Sequence, residues 1–311
     1  MIRAALAALA LVAPAALAGD LAFVTSQNGN AVSVIDLTRR EVIATTTVEG
    51  APAPVAYDPA TARAFVISAD TGRLTVLDES GAITGTLDLG EGAFGIATGP
   101  QGAVYVADWY GGRLMRLGVD LETLWQAETG AAPAGIATSP DGALVATADR
   151  DADAVSIFEA ASGKRLHQVK TAGPHPFGIT WHDGRIWTAD VQGDSLSVID
   201  PQAGKLLGSL PTGSHPYAVA FAGGRGFVTD QYGSTVTVFD PETLAVIDTV
   251  ATGDYPEGIA PLPDGSGVVV ANWDSDTLQI IDAATLDVTA EIELPAGPRA
   301  FGTFTGRQVQ P

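Results

Sequence analysis

Ala31-Val-Ser-Val-Ile-Asp36 is the first of seven related segments. Leu74-Thr-Val-Leu-Asp78, Leu114-Met-Arg-Leu-Gly118, Val155-Ser-Ile-Phe-Glu159, Leu196-Ser-Val-Ile-Asp200, Val236-Thr-Val-Phe-Asp240 and Leu278-Gln-Ile-Ile-Asp282 follow it. Their last residues stand at 36, 78, 118, 159, 200, 240 and 282, in steps of 42, 40, 41, 41, 40 and 42. A spacing this constant marks a repeat architecture and outranks any single motif. Three more runs recur around each copy. One lies upstream (Phe23-Val-Thr-Ser26, Tyr105-Val-Ala-Asp108, Trp187-Thr-Ala-Asp190, Phe227-Val-Thr-Asp230). Another precedes that (Phe94-Gly-Ile-Ala97, Phe177-Gly-Ile-Thr180, Glu257-Gly-Ile-Ala260), and the last follows the closing Asp (Glu41-Val-Ile-Ala44, Ala245-Val-Ile-Asp248).

Runs rich in Val, Ile, Thr and aromatics, separated by Pro-Asp-Gly, Asp-Pro and Gly-rich turns, predict short antiparallel strands, four to a unit. No comparable window carries a clean 3.6-residue apolar period, so helices are expected to be scarce. A four-stranded unit apolar on both faces must be covered by its neighbours. The reading is therefore an all-β, seven-bladed β-propeller with four antiparallel strands per blade. The N-terminal unit begins at its second strand, Leu21–Ser26, and Arg299-Ala-Phe-Gly-Thr303 repeats a first strand at the other end. The C-terminal strand is thus expected to close the first blade, making 19–311 one domain.

Phe23-Val-Thr-Ser26, Tyr105-Val-Ala-Asp108 and Phe227-Val-Thr-Asp230, each followed by a Val-Ser-Val-Ile-Asp type segment, resemble the YVTN-repeat (YncE-like) family. The resemblance runs from about residue 20 to 306. It implies a seven-bladed propeller, usually exported, and no single activity. Relatives include large subunits of periplasmic amine dehydrogenases, lactonase-like proteins and proteins of no assigned role.

Arg3, the apolar run Ala4–Leu17 and the small-x-small triplet Ala16-Leu17-Ala18 read as a signal peptide over 1–18. The run is broken by Pro14 and is shorter than the about 20 residues needed to span a bilayer. A periplasmic location without membrane insertion is expected. The chain has 36 acidic and 16 basic residues, a formal charge of −20, which argues against nucleic acid and for basic partners. The absence of cysteine removes disulfides, thiolate metal sites, cysteine nucleophiles and covalent haem attachment.

Strand order brings the loops entering the innermost strands, and the loops after the second strands, to one mouth of the channel. Reading the position before the Pro-x-Gly-Ile run around the ring gives Arg299, Ala51, Gly92, Ala132, His175, His215 and Tyr255. Four consecutive blades thus carry large polar groups there and three carry Ala or Gly. A second column repeats the contrast, with Phe177, Tyr217, Glu257 and Phe301 set against Ala53 and Ala134. Trp109, Arg150, Tyr232 and Trp273 follow the second strands. These aromatics would supply flat walls, and Arg150 and Arg299 would grip a carboxylate. His175 and His215, both preceding Pro, are candidate ligands for a divalent metal; no other cofactor is expected. The column Asp108, Asp149, Asp190, Asp230 reads as turn capping.

No nucleophile paired with a base, GxSxG, HExxH or P-loop is present. The expectation is an exported propeller acting as a ligand-binding or protein-docking module for a small anion or a basic periplasmic protein. The alternatives are a hydrolase, lactonase or metal-assisted enzyme at the same mouth, and an amine dehydrogenase-like propeller subunit of a periplasmic redox assembly.

Overall fold

The computed structural model describes residues 19–309; the expected signal peptide lies outside them. Within that range the chain forms seven four-stranded antiparallel sheets. Blades two to seven are continuous in sequence, spanning 52–88, 93–128, 133–170, 176–211, 216–251 and 256–293. Blade one joins Asp20–Ser26, Ala31–Asp36 and Glu41–Thr47 to Thr305–Arg307 from the other end. Two single-turn 3-10 segments, Pro100–Gly102 and Arg150–Ala152, are the only helical elements among the described residues.

Burial explains the sequence pattern. In the second and third strands nearly every residue is buried, as in Ala103–Asp108 and Ala154–Glu159, because both faces press against adjacent blades. These strands therefore read as continuous apolar runs rather than alternating ones. The outermost strands, such as Thr123–Glu128, alternate between exposed and half-buried residues. The core is a set of inter-blade layers. One packs Trp187 and Leu196 of blade five against Val228 and Phe239 of blade six. Each closing Asp caps its hairpin: Asp78 Oδ1 accepts Ser80 N–H at 2.9 Å, and Asp240 Oδ1 accepts Glu242 and Thr243 N–H at 2.8 Å.

The ring closes through the C-terminus, but the closing strand differs from the expected 299–303. Residues Thr305–Arg307 pair with Ala22–Asp20, and Phe304 O accepts Phe23 N–H at 2.9 Å. Pro298 bridges Ser26, while Phe301 bridges Pro54 of blade two. Between these points Ala300 at φ 45° and Gly302 at φ 126° kink the chain and turn 299–303 out of the regular strand path. A φ of 126° is available essentially to glycine alone. Arg307 pairs with Asp20 at 2.8 Å, and Gln308 donates to Glu79 at 3.0 Å, tying the tail to blades one and two.

Candidate functional site

Three positions of the repeat converge where the innermost strands begin. At the first, Ala51, Ala132, His175, His215 and Tyr255 are left-handed, with φ of 53–60°. Their carbonyls accept the N–H just beyond the next strand: Val191 to His175 and Gln231 to His215 at 3.0 Å, Trp273 to Tyr255 at 2.9 Å. The backbone of His175 is also held by Asp153 and that of His215 by Asp194, at 2.9 and 2.8 Å. Alanine and histidine do the same backbone work here, so the turn itself does not explain the histidines.

Arg299 does not belong to this position, contrary to the reading from spacing. Gln27 N–H bonds to Gly297 O at 2.7 Å, and Pro298 faces Ser26 as Pro256 faces Asn272. Gly297 is therefore blade one's counterpart of Tyr255, and Arg299 takes the place of Phe177, Tyr217 and Glu257. The kink at Ala300 and Gly302 concealed this two-residue offset.

In this place Arg299 joins a buried network. Arg299 Nε lies 2.7 Å from Glu257 Oε2. Its Nε and Nη2 donate to the Tyr217 hydroxyl at 2.9 and 2.6 Å, and Nη1 donates to Gln27 Oε1 at 2.9 Å. Gln231 Nε2 donates to Glu257 Oε1 at 2.7 Å. Only 4% of the Glu257 side chain and 19% of Arg299 are exposed. Burial pushes the Glu257 carboxyl above its usual range, opposed by Arg299, Gln231 and Tyr217. Burial also raises the Tyr217 phenol. On Arg299, burial favours proton loss, but Tyr217 and Glu257 outweigh it and hold the guanidinium charged.

The network floors a cavity of about 310 Å³ lined also by Arg150, Phe177, Val191, Tyr255 and Trp273. Five of the expected site residues line it: Arg150, Tyr255, Glu257, Trp273 and Arg299. Four stand around it. Trp109 packs edge-on against Phe94 and Phe177, with Arg150 5.7 Å above its ring. Tyr232 stacks on His215 at 3.9 Å and meets Tyr255 at 5.4 Å. His175 is half-buried with Nδ1 unpartnered, and His215 Nδ1 contacts Ser214 Oγ at 3.1 Å. Glu257 is the one carboxylate in the lining, and no three His, Cys, Asp or Glu side chains converge among the described residues. Gln27 and Val191 were not singled out beforehand. Val191 is the residue equivalent to Trp109, Arg150, Gln231 and Trp273.

A second cavity of about 280 Å³, lined by Thr138, Thr180, His182 and Phe221, occupies the other end of the channel. Between the two, Phe94, Phe177, Tyr217 and Phe301 pack ring against ring, with centroids 4.7–6.1 Å apart. The Asp column caps turns as expected. Asp149 accepts from Gly130 N–H, Ser156 and Thr147, and Asp190 from Gly173 N–H and Ser197. Asp108 also pairs with Arg113 at 2.7 Å.

The family model described as SMP-30/gluconolactonase/LRE-like region matches residues 24–230. The chain belongs to this SMP-30/gluconolactonase/LRE-like family. Among curated proteins none matches it significantly. Solved structures share the fold. A functionally unknown protein from Desulfotomaculum acetoxidans superposes with a TM-score of 0.76 at 16% identity, over 92% of this chain and 98% of that one. Virginiamycin B lyase from Staphylococcus aureus gives 0.69 at 17%, over 82% and 92%. The dihydro-heme d1 dehydrogenase NirN, in complex with DHE, gives 0.65 at 18%, over 90% and 73%. At these identities the likeness is one of architecture, and a shared architecture does not carry a shared chemistry.

Proposed function

We propose that this is an exported, periplasmic binding propeller of YVTN-repeat type, which takes a small anion with a flat apolar body into the mouth cavity. The observation that carries this reading is the 310 Å³ cavity itself, with aromatic walls from Phe177, Tyr217, Tyr255 and Trp273 above a buried Glu257–Arg299 pair. A scaffold of equivalent blades has no structural need for a buried ion pair, whose desolvation is costly. Arg299 is committed to that pair, to Tyr217 and to Gln27. Arg150, with its side chain 30% exposed, lying over the Trp109 ring and paired with surface Asp151, is the cation available to an incoming carboxylate. Glu257 is held by Arg299 and Gln231, and no Ser, Thr or Cys shares the cavity lining with it among the described residues, which supports binding without catalysis. A pair of histidines serving a divalent metal, a lactonase-type enzyme and a redox-assembly subunit are the rival readings.

Phenylacetate titrated into the protein, followed by tryptophan emission, tests it. Saturable quenching is expected, with Trp273 as the reporter in the cavity wall. Val191→Trp should abolish it by filling the space, because equivalent positions already hold Trp109 and Trp273 and the fold accepts tryptophan there. Arg150→Ala should weaken binding about tenfold, the loss of roughly 1.4 kcal/mol. An equal response to phenylacetamide, which lacks the charge, would overturn the anion assignment.

A further inference from the structure

Between Arg225 and Arg299 the sequence contains no Lys, Arg or His. The same 73 residues, 226–298, hold 13 of the chain's 36 acidic groups. They form strands two to four of blade six and all of blade seven. The charge of −20 is thus unevenly placed: −13 sits in this sector, and the remaining 23 acids are interspersed with all 16 bases. Arginines from outside the sector pair with two of these acids, Arg299 with Glu257 at 2.7 Å and Arg185 with Glu242 at 3.6 Å; the others keep a field of one sign, which concentrates oppositely charged partners and speeds their encounter.

The mouth-facing loops of this sector also carry a run of aromatics. Tyr232, 57% exposed, meets Tyr255 at a centroid distance of 5.4 Å, and Tyr255 meets Trp273 at 5.6 Å. His215 lies flat on Tyr232 at 3.9 Å and fixes its ring. Exposed carboxylates flank the run: Asp254 precedes Tyr255 and Asp274 follows Trp273. Rigid aromatics among carboxylates suit lysine and arginine side chains, which gain charge attraction and contact with ring faces together.

We propose that the mouth-side surface of blades six and seven, centred on Tyr232, Asp254 and Asp274, is a docking surface for a partner protein presenting a cluster of basic side chains. Acidic groups extend beyond the mouth to the outermost strands, at Asp248, Glu291 and Glu293. That breadth favours a protein surface over a small cation. The inference rests on this charge distribution and stands whether or not the cavity binds an anion.

The repeat supplies its own control. Asp70 occupies in blade two the position of Asp274, and Glu91 occupies in blade three that of Asp254, because Ala69 and Trp109 bond to Ala51 and Gly92 as Trp273 bonds to Tyr255. All four carboxylates are exposed. Binding of a fluorescein-labelled octalysine peptide at low salt is compared between Asp254→Asn/Asp274→Asn and Asp70→Asn/Glu91→Gln, two variants with the same change in net charge. The first pair should weaken binding at least about fivefold and the second less than about twofold, and Tyr232→Ala should add a further loss at constant charge. Equal losses from the two pairs would reduce the effect to bulk attraction and overturn the proposal, as would the absence of octalysine binding. Spermidine binding as tightly and with the same variant pattern would assign the surface to small cations and overturn the protein partner.

Discussion

Glu257 is 3% exposed, and its environment makes it the most consequential charge in the molecule. Removing its partner leaves a buried carboxylate without its counter-charge. Arg299→Ala should therefore cost about 3–5 kcal/mol of stability in urea unfolding. The double change Arg299→Met/Glu257→Leu should cost less than that single one, since it buries no charge. A double variant as unstable as Arg299→Ala would mean that packing, and not the ion pair, dominates there. Asp190 is the second residue to probe. Burial pushes its carboxyl up to about 7, and that of Asp230 to about 6, against the hydrogen bonds that favour ionisation. Folded protein therefore holds these protons more tightly than unfolded chain. Their contribution is most favourable near pH 4 and is lost as the pH rises through about 6 to 7. Asn272 fills the same position in blade seven, its Nδ2 donating to Thr277 at 3.1 Å, so the fold accepts an amide there. Asp190→Asn should flatten the fall in stability between pH 5 and 7.5. An unchanged slope would place that titration elsewhere.

The closing strand is short, three residues against six or seven in most others, yet a fully buried phenylalanine, Phe304, immediately precedes it. Phe304→Ala should cost about 3–5 kcal/mol, the usual consequence of emptying a packed aromatic site. Arg307→Ala, which removes only the exposed pair with Asp20, should leave the unfolding midpoint nearly unchanged. The reverse order would show that the tail is held by its charge rather than by its ring. This element also marks how far the sequence could be read. Seven blades, their strand order and closure through the C-terminus all followed from the spacing of Val-Ser-Val-Ile-Asp type segments. The register of 298–307 did not. Inner strands are buried on both faces, so no period of two exposes a slip. The bend at Ala300 and Gly302 is a matter of backbone angles rather than composition. Spacing alone consequently puts Arg299 beside His175 and Tyr255 instead of Glu257. Gln27 entered the site only through that shift. Tyr217 and Glu257 were visible as exceptions in a column of alanine and phenylalanine, though nothing in their spacing revealed that they share one guanidinium.

Across the whole molecule a charge of −20 on 311 residues opposes the compact state, because folding brings the acids of every blade closer together. Added salt shortens the reach of that repulsion from about 30 Å at 0.01 M to about 8 Å at 0.15 M. Stability at pH 7 should therefore rise, on the order of 1 kcal/mol, over that range of sodium chloride. Salt and pH then act on different groups and can be separated in one experiment. Salt screens the surface acids, many of them in the acid-rich stretch 226–298 of blades six and seven. Lowering the pH toward 5 protonates the buried Asp190. In Asp190→Asn the salt response should persist at full size while the pH response shrinks. In Asp254→Asn/Asp274→Asn the salt response should diminish and the pH response remain. If both variants altered both responses alike, surface and core titration would be one coupled property of the ring. The mouth-side acids would then be part of what limits its stability as well as what attracts a partner.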